Sequence, residues 1–271
     1  MKIFVDTANL KDIEKALKRG FIDGVTTNPS LLAKEPKTQF EKHIGKIVEL
    51  IKKYKDGVHL SVEVFSQDPK EILKQAKRFI KTFEYDSLSI KVQVGWNELE
   101  VITELAKENI FVNCTACMTI FQAMLAAKAG ARYASLFWGR IRDGLPETIL
   151  EKIKKLEKTD PHDQDKLDIL RGHLNEANRL LVFDRILEKA DFNPFSVVKR
   201  TREIFDRENF NCEIIVGSMR SIWDVRDAMI AGAHIVTVPP KFFREFPKMA
   251  QHFKTDEVVE QFLNDFKGWI K

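Results

Sequence analysis

Leu88-Ser89-Ile90-Lys91-Val92-Gln93-Val94 is the stretch whose reading decides the fold. It is apolar at nearly every second position, as in a short buried strand, and it carries one lysine at its centre. Burying an ammonium costs several kcal/mol unless it is paired, and lysine rarely goes fully inside. Desolvation lowers a lysine's pKa and frees its amine as a nucleophile toward a carbonyl. Taken alone, the stretch favours an edge-strand lysine pointing at water. Polar residues at the corresponding ends of other strands reverse that reading.

Those strands alternate with helices along the whole chain. Strands are expected at Lys2–Asp6, Gly24–Asn28, His59–Phe65, Leu88–Val94, Ile110–Thr115, Tyr133–Phe137, Glu213–Gly217 and His234–Val238. Between them, Leu10–Arg19 reads as a helix ended by Gly20. Phe40, Ile44, Ile47 and Ile51 recur at helical spacing. Asp68-Pro69-Lys70-Glu71 reads as a helix start, with proline at the first position and Glu71 placed as in a capping box. Asn97 opens the next helix, and another runs up to Gly130. Strand–helix alternation over 271 residues, close to the typical ~250 of the architecture, predicts one closed parallel (β/α)8 TIM barrel across residues 1–271.

One connection is too long. Between the sixth and seventh strands, Ile141–Asn211 exceeds what a crossover helix needs. Asn193-Pro194 begins the ordinary crossover, which leaves Pro146–Ala190 as a helical insertion. Ile149, Ile153 and Leu156 line its first helix, Pro161 sits in a polar break, and Leu167, Leu170, Leu174, Ala177 and Leu181 line the second. Its lysines are interleaved with glutamates, as on a solvated face. Two such helices are expected to need another surface for their apolar stripes: the barrel rim, the cavity mouth as a lid, or a neighbouring subunit. The tail, Asp256–Ile270, carries a further stripe of Val259, Phe262, Leu263, Phe266 and Ile270, placed to close the barrel's own side or to dock on a neighbour.

Composition narrows the function classes. Hydrophobic residues make up 44% and charged residues 31%, and the net charge is +4, which gives no case for nucleic-acid or membrane binding. The opening MKIFVDTAN reads as a strand rather than a signal peptide, and no apolar run approaches the ~18 residues of a membrane span. Three cysteines form no disulfide framework, and the expected compartment is the reducing cytoplasm. Cys114 and Cys117 make a C-x-x-C, but with Cys212 the sole other thiol, a four-ligand zinc set would need histidines; two small buried residues at a strand end is the preferred account.

In such barrels the active site lies at the C-terminal strand ends. The polar residues expected there are Asp6, Thr26, Asn28, Glu63, Lys91, Asn113, Thr115, Ser135, Arg140, Ser218 and Arg220. Each has a bland explanation singly; together they surround one lysine with two carboxylates, hydroxyls and two arginines. The set suggests amine catalysis on a phosphorylated carbonyl compound. Lys91 would form an iminium, and Asp6 and Glu63 are the proton carriers. Gly217-Ser218-Met219-Arg220 is expected to offer phosphate its backbone amides and a helix start, with Arg140 and Arg220 adding charge.

Several runs carry a resemblance. Phe4-Val5-Asp6-Thr7-Ala8-Asn9, Gly24-Val25-Thr26-Thr27-Asn28-Pro29-Ser30-Leu31-Leu32, Ser61-Val62-Glu63-Val64, Ile90-Lys91-Val92 and Ala126-Ala127-Lys128-Ala129-Gly130-Ala131 resemble the transaldolase family, especially its small members. So do Ser135-Leu136-Phe137-Trp138-Gly139-Arg140 and Ile215-Val216-Gly217-Ser218-Met219-Arg220. The similarity covers the chain outside Pro146–Ala190. It implies a metal-independent, cofactor-free, homo-oligomeric enzyme of the class I aldolase type that moves a dihydroxyacetone unit between sugar phosphates. It would place the Schiff base on Lys91 and the acid–base carboxylate on Asp6. Glu63 and Thr115 would hold the catalytic water, Asn28 and Ser135 the three-carbon fragment, and Arg140, Ser218 and Arg220 the phosphate.

The related fructose-6-phosphate aldolases are similar but usually have glutamine at the position of Glu63 and tyrosine at that of Phe137; both residues side with transaldolase. Transaldolases usually have proline at the positions of Gln93 and Leu136, and aliphatic residues followed by Phe-Ser where this chain has Ala116-Cys117-Met118-Thr119. Two alternatives compete: an aldolase that releases free dihydroxyacetone, and a catalytically quiet sugar-phosphate-binding barrel that recruits a protein through the hairpin.

Overall fold

The computed structural model describes residues 1–250 and 252–269. Its strands are β1 (Lys2–Asp6), β2 (Gly24–Thr26), β3 (His59–Glu63), β4 (Leu88–Gln93), β5 (Val112–Cys117), β6 (Tyr133–Phe137), β7 (Glu213–Gly217) and β8 (Ile235–Val238). They pair in sequence order, all parallel, and β8 returns to β1 to close the barrel. The helices are α1 (Leu10–Lys18), α2 (Pro29–Leu32), α3 (Phe40–Tyr54), α4 (Pro69–Phe83), α5 (Glu98–Lys107), α6 (Ile120–Lys128) and α7 (Trp138–Asp143). They continue as α8 (Pro146–Thr159), α9 (Gln164–Asn178), α10 (Pro194–Arg207), α11 (Ile222–Ile230), α12 (Pro240–Phe243), α13 (Phe246–Ala250) and α14 (Phe253–Phe266). The expected (β/α)8 barrel is therefore the fold.

Where boundaries depart from expectation, a specific bond takes over. β2 stops at Thr26 instead of Asn28, because the Asn28 side-chain Oδ1 accepts the Leu31 N–H as the cap of α2, and Pro29 has no N–H for a ladder. β3 stops at Glu63, and the Phe65 N–H goes to Gln75 Oε1 at 2.8 Å. β5 is displaced from Ile110–Thr115 to Val112–Cys117. Ala116 adopts a positive φ of 63°, the register shifts between Cys114 and Cys117, and pairing resumes beyond the bulge. β8 starts at Ile235, although the His234 carbonyl still accepts the Lys2 N–H in line with the β1–β8 pairing, and the His234 ring Nδ1 accepts the Ile214 N–H. Asp68 caps α4 through the Lys70 N–H, but no capping box forms, since the Asp68 N–H donates to Ser66 Oγ rather than to Glu71.

Strand parity sorts the residues. Leu88, Ile90 and Val92 face the helices and join the main apolar cluster, leaving Ser89, Lys91 and Gln93 on the lumen side. At the N-terminal end the lumen is closed by Phe4, Tyr133, Ile215 and Ile235. Gly24 makes room there, since a Cβ would lie 2.5 Å from the Phe4 ring. Above this layer the lumen is polar, unlike the branched aliphatic layers usual in such barrels.

The α8–α9 hairpin has its own small core of Ile149, Ile153, Leu167 and Ala177, flanked by Leu156, Leu170 and Leu174. The two stripes thus bury each other, against the expectation that they need another surface. Leu181 falls beyond α9, in a π-helical turn over Arg179–Phe183. The tail helix, expected at Asp256–Ile270, is α14, capped by His252; Val259, Phe262, Leu263 and Phe266 are all exposed, and Ile270 lies outside the described residues. Among the described residues no helix is long and apolar enough to cross a membrane.

Candidate active site

Three strands set Lys91 in place. The ladder aligns Glu63 with Lys91 and Lys91 with Asn113, so parity turns all three into the lumen side by side. The Lys91 side chain is 6% exposed. Its ammonium lies 3.0 Å from Glu63 Oε2 and donates to the Thr27 carbonyl at 2.9 Å. Pairing is what makes burial tolerable, because removing one partner of a buried pair leaves the other charge uncompensated. Thr26, Thr27 and Asn28 each do something different: a hydroxyl to Asp6, a carbonyl to Lys91, and a cap on α2.

Asp6 completes the upper layer. Thr26 Oγ1 donates to Asp6 Oδ1 at 2.9 Å and lies 2.5 Å from Thr237 Oγ1, which therefore donates to it. Burial pushes the Asp6 carboxyl above its ordinary value, outweighing the opposing pull of Lys91 and Thr26. Under Lys91 runs a buried polar chain. Ser135 Oγ donates to Asn113 Oδ1 at 2.7 Å, Asn113 Nδ2 donates to Ser61 Oγ at 3.0 Å, and Ser61 meets Ser89 at 2.9 Å and His59 Nε2 at 2.8 Å. These bonds fix which way the Asn113 amide faces. Burial pushes His59 down to about 3, so its imidazole is neutral and acts as a spacer in the chain.

A cavity of about 410 Å³ opens over this layer at the C-terminal strand ends. Of the expected residues, Asp6, Thr26, Asn28, Glu63, Lys91, Thr115, Ser135, Phe137, Arg140 and Ser218 line it. Thr115 Oγ1 is buried without a protein hydrogen-bond partner among the described residues, an arrangement that suits a hydroxyl reserved for a bound molecule. Ser218, at the end of β7, adopts a φ of 61°, a left-handed conformation that costs a non-glycine residue energy and recurs at functional sites.

Two expected residues stand back from the cavity. Asn113 is buried beneath it and acts through Ser135. Arg220 flanks it, with Nη2 2.5 Å from Asp143 Oδ2. Of the amides expected to be offered to phosphate by this loop and the start of α11, those at the start of the helix are already engaged. The Arg220 and Ser221 N–H groups both donate to Asp224 Oδ2, at 2.7 and 3.1 Å, so the start of α11 is capped from within. Cys114, Cys117 and Cys212 are buried and free, and none of the three lines the cavity. Gln93 ties the loop after β3 to the start of α5, donating to the Ser66 carbonyl at 2.9 Å and Glu98 Oε1 at 3.3 Å. No residue of 146–190 lines the cavity among those described.

The sequence reading missed Thr237, the Thr27 carbonyl, Asp143 and the Ser61–Ser89–His59 chain. Parity holds a signal for some of them: Ser61 and Ser89 precede Glu63 and Lys91 by two residues, and Thr237 is the lumen-facing residue near the end of Ile-Val-Thr-Val. A second depression of about 330 Å³ lies at the N-terminal end of the barrel, but its lysines are already engaged, Lys2 with Glu213 and Lys55 with Asp23.

Fold and site together define a (β/α)8-barrel protein with a polar cavity built around a buried, paired lysine. A profile of the Transaldolase/Fructose-6-phosphate aldolase family matches residues 3–270, a range that includes the hairpin expected to fall outside the resemblance. The chain is 33% identical over 267 residues to a probable transaldolase of Desulfosudis oleivorans, covering 98% of each. It is 32% identical over 272 residues to probable transaldolase 2 of Bacillus anthracis, covering 100% of this chain and 98% of the relative. The thiamine phosphate pyrophosphorylase of Pyrococcus furiosus superposes with a TM-score of 0.50 at 12% identity, over 88% of this chain and 85% of its own, a likeness of fold alone. The chain belongs to the transaldolase/fructose-6-phosphate aldolase family.

Proposed function

We propose that this protein transfers a dihydroxyacetone unit between sugar phosphates through a Schiff base on Lys91, without metal or cofactor, in the cytoplasm. The whole chain serves as one barrel unit, with 146–190 as an insertion. The observation that carries the reading is a lysine buried under a polar cavity with two carboxylates, Glu63 at 3.0 Å and Asp6 close enough to feel its charge.

The deprotonated Lys91 amine adds to the ketone carbon of the donor, and loss of water gives an iminium. Asp6 takes the proton from the hydroxyl on the far carbon of the bond to be broken, the carbon that becomes the aldehyde. That bond cleaves, its electron pair passes into the iminium to leave an enamine on Lys91, and an aldose phosphate departs. The enamine then attacks the aldehyde carbon of an acceptor aldose phosphate, and Asp6 returns its proton to the new alkoxide. Water, held by Glu63 and Thr115, hydrolyses the iminium and restores the amine. Asn28 and Ser135 orient the three-carbon fragment, and Arg140, Ser218 and Arg220 bind the phosphate.

Glu63 and Phe137 favour transfer over release of free dihydroxyacetone, by the residues that distinguish the two activities within the family. Fructose 6-phosphate with and without an aldose phosphate acceptor tests this. Acceptor-dependent product should exceed free dihydroxyacetone, and Glu63→Gln with Phe137→Tyr should move the balance toward release. An unchanged ratio in the double variant would refute the choice, and release dominating in the parent protein would favour the aldolase activity.

A further inference from the structure

Asp143, the last residue of α7, carries more cations than any role given to it so far explains. Arg220 Nη2, from the loop after β7, lies 2.5 Å from its Oδ2. Lys152 Nζ, from α8 of the hairpin, donates to its Oδ1 at 2.8 Å. Arg140 Nη1, which belongs to the cavity wall, stands 4.0 Å from Oδ2. Three elements thus send a cation each to one carboxylate. Burial raises the Asp143 carboxyl, but the Lys152 hydrogen bond and the charges of Arg220 and Lys152 outweigh it, and the group titrates below its ordinary value. Asp143 is a fixed anion at neutral pH.

The surrounding backbone is built to hold this arrangement. The Gly139 N–H donates to the Ser218 carbonyl at 3.0 Å. A Cβ on Gly139 would lie 2.5 Å from that oxygen and 2.6 Å from Arg220 Nε, so the first turn of α7 is pressed against the arginine. The next residue pair repeats the tie, with Arg142 on Asp224 at 3.2 Å. Arg220 anchors one nitrogen on Asp143 and keeps its remaining N–H donors for a second anion.

We infer that Asp143 is the positioning residue for the phosphate-binding arginines, and that Lys152 of the hairpin, by holding the other carboxylate oxygen, makes the hairpin a specificity element for phosphorylated substrates. This rests on the assignment of Arg140 and Arg220 to the phosphate. In the free protein Asp143 ties Arg220 down directly and draws Arg140 toward the same carboxylate, while both guanidinium side chains stay accessible to an incoming anion, at 46% and 65% exposure. A net charge of +2 remains, from three cations and one carboxylate. Lys152 is 41% exposed, so solvent screens its share and the larger effect belongs to Asp143.

The test compares fructose 6-phosphate with an unphosphorylated ketose, in Asp143→Asn, Asp143→Glu, Lys152→Met and the Asn–Met double variant, with thermal melting recorded for each. Asp143→Asn should raise KM for fructose 6-phosphate by about tenfold, as expected for a misplaced charge-assisted contact. Its kcat should move far less, and its preference for the phosphorylated substrate should fall by a similar factor. Asp143→Glu should recover part of the loss. Lys152→Met should raise KM by roughly threefold alone and add nothing on top of Asp143→Asn, since residues acting through one contact are not additive. Equal losses on both substrates would reduce Asp143 to a structural residue, and additive losses would detach Lys152 from it. Arg220→Ala separates the two levels. If it leaves the phosphate preference intact, the underlying phosphate assignment fails; if it abolishes the preference while Asp143→Asn does not, only the present inference fails.

Discussion

The barrel lumen and the α8–α9 hairpin are built on opposite plans. In the hairpin, Ile149, Ile153, Leu167 and Ala177 are inside, and charges such as the Arg171–Glu157 and Lys166–Asp163 pairs face water. In the barrel, most apolar strand residues face outward into the helix layer, Phe4, Tyr133, Ile215 and Ile235 plug the N-terminal end of the lumen, and Ser61, Ser89, Lys91, Asn113 and Ser135 are buried at the centre. The hairpin is held by apolar burial, and its exposed ion pairs contribute little. The lumen contributes little apolar burial in its upper layers. It persists because its buried polar side chains, Thr115 Oγ1 excepted among the described residues, are paired and because the outer shell is stable enough to carry them. Changes in the lumen should therefore cost function, and changes in the hairpin core should cost local stability.

The largest effect is expected at Lys91. Lys91→Arg keeps a charge near Glu63 but cannot act as the amine nucleophile, so steady-state turnover should fall by on the order of ten-thousandfold. Retained activity in this variant would remove the lumen from the chemistry. Next comes Arg220→Ala, which should lower kcat/KM for phosphorylated substrates by roughly 2–4 kcal/mol, with a much smaller change for unphosphorylated ones.

In the hairpin, Leu167→Ala empties a buried site and should destabilise that unit by about 2–3 kcal/mol. Limited proteolysis should then cut within 146–190 while the barrel melts as before. Loss of the folded barrel would contradict the separation of the two cores.

The smallest change is a pH effect. The Thr26 hydroxyl favours the ionised form of Asp6. Thr26→Val removes it, the Asp6 pKa rises further, and less carboxylate is present at a given pH. The acidic limb of the kcat/KM profile should shift to higher pH. A shift to lower pH, or none, would disconnect Asp6 from that limb.

The two plans were not equally legible in the sequence. Strand order and the lumen position of Lys91, Glu63 and Asp6 follow from alternation, because a side-chain period of two leaves each residue one of two faces. The hairpin helices were equally visible by their three-and-four spacing, but periodicity marks an apolar face without naming what covers it. The hairpin covers its own stripe, while the stripe of α14 lies exposed. Thr237 escaped notice because threonine between valines is ordinary strand composition. Asp143 escaped because its partner Arg220 is 77 residues away, and only the closed barrel brings the ends of β6 and β7 together. The bulge at Ala116 could not be read either, since nothing in an alanine announces a positive φ.

The central claim is that Lys91 is the nucleophile, and borohydride trapping tests it most directly. The protein is incubated with fructose 6-phosphate, reduced with borohydride, digested and mapped by mass spectrometry. Only an iminium is reduced to a stable amine, so the account predicts loss of activity together with a single adduct on the peptide carrying Lys91, absent when substrate or borohydride is omitted. An adduct on another lysine, or inactivation without any adduct, would contradict it.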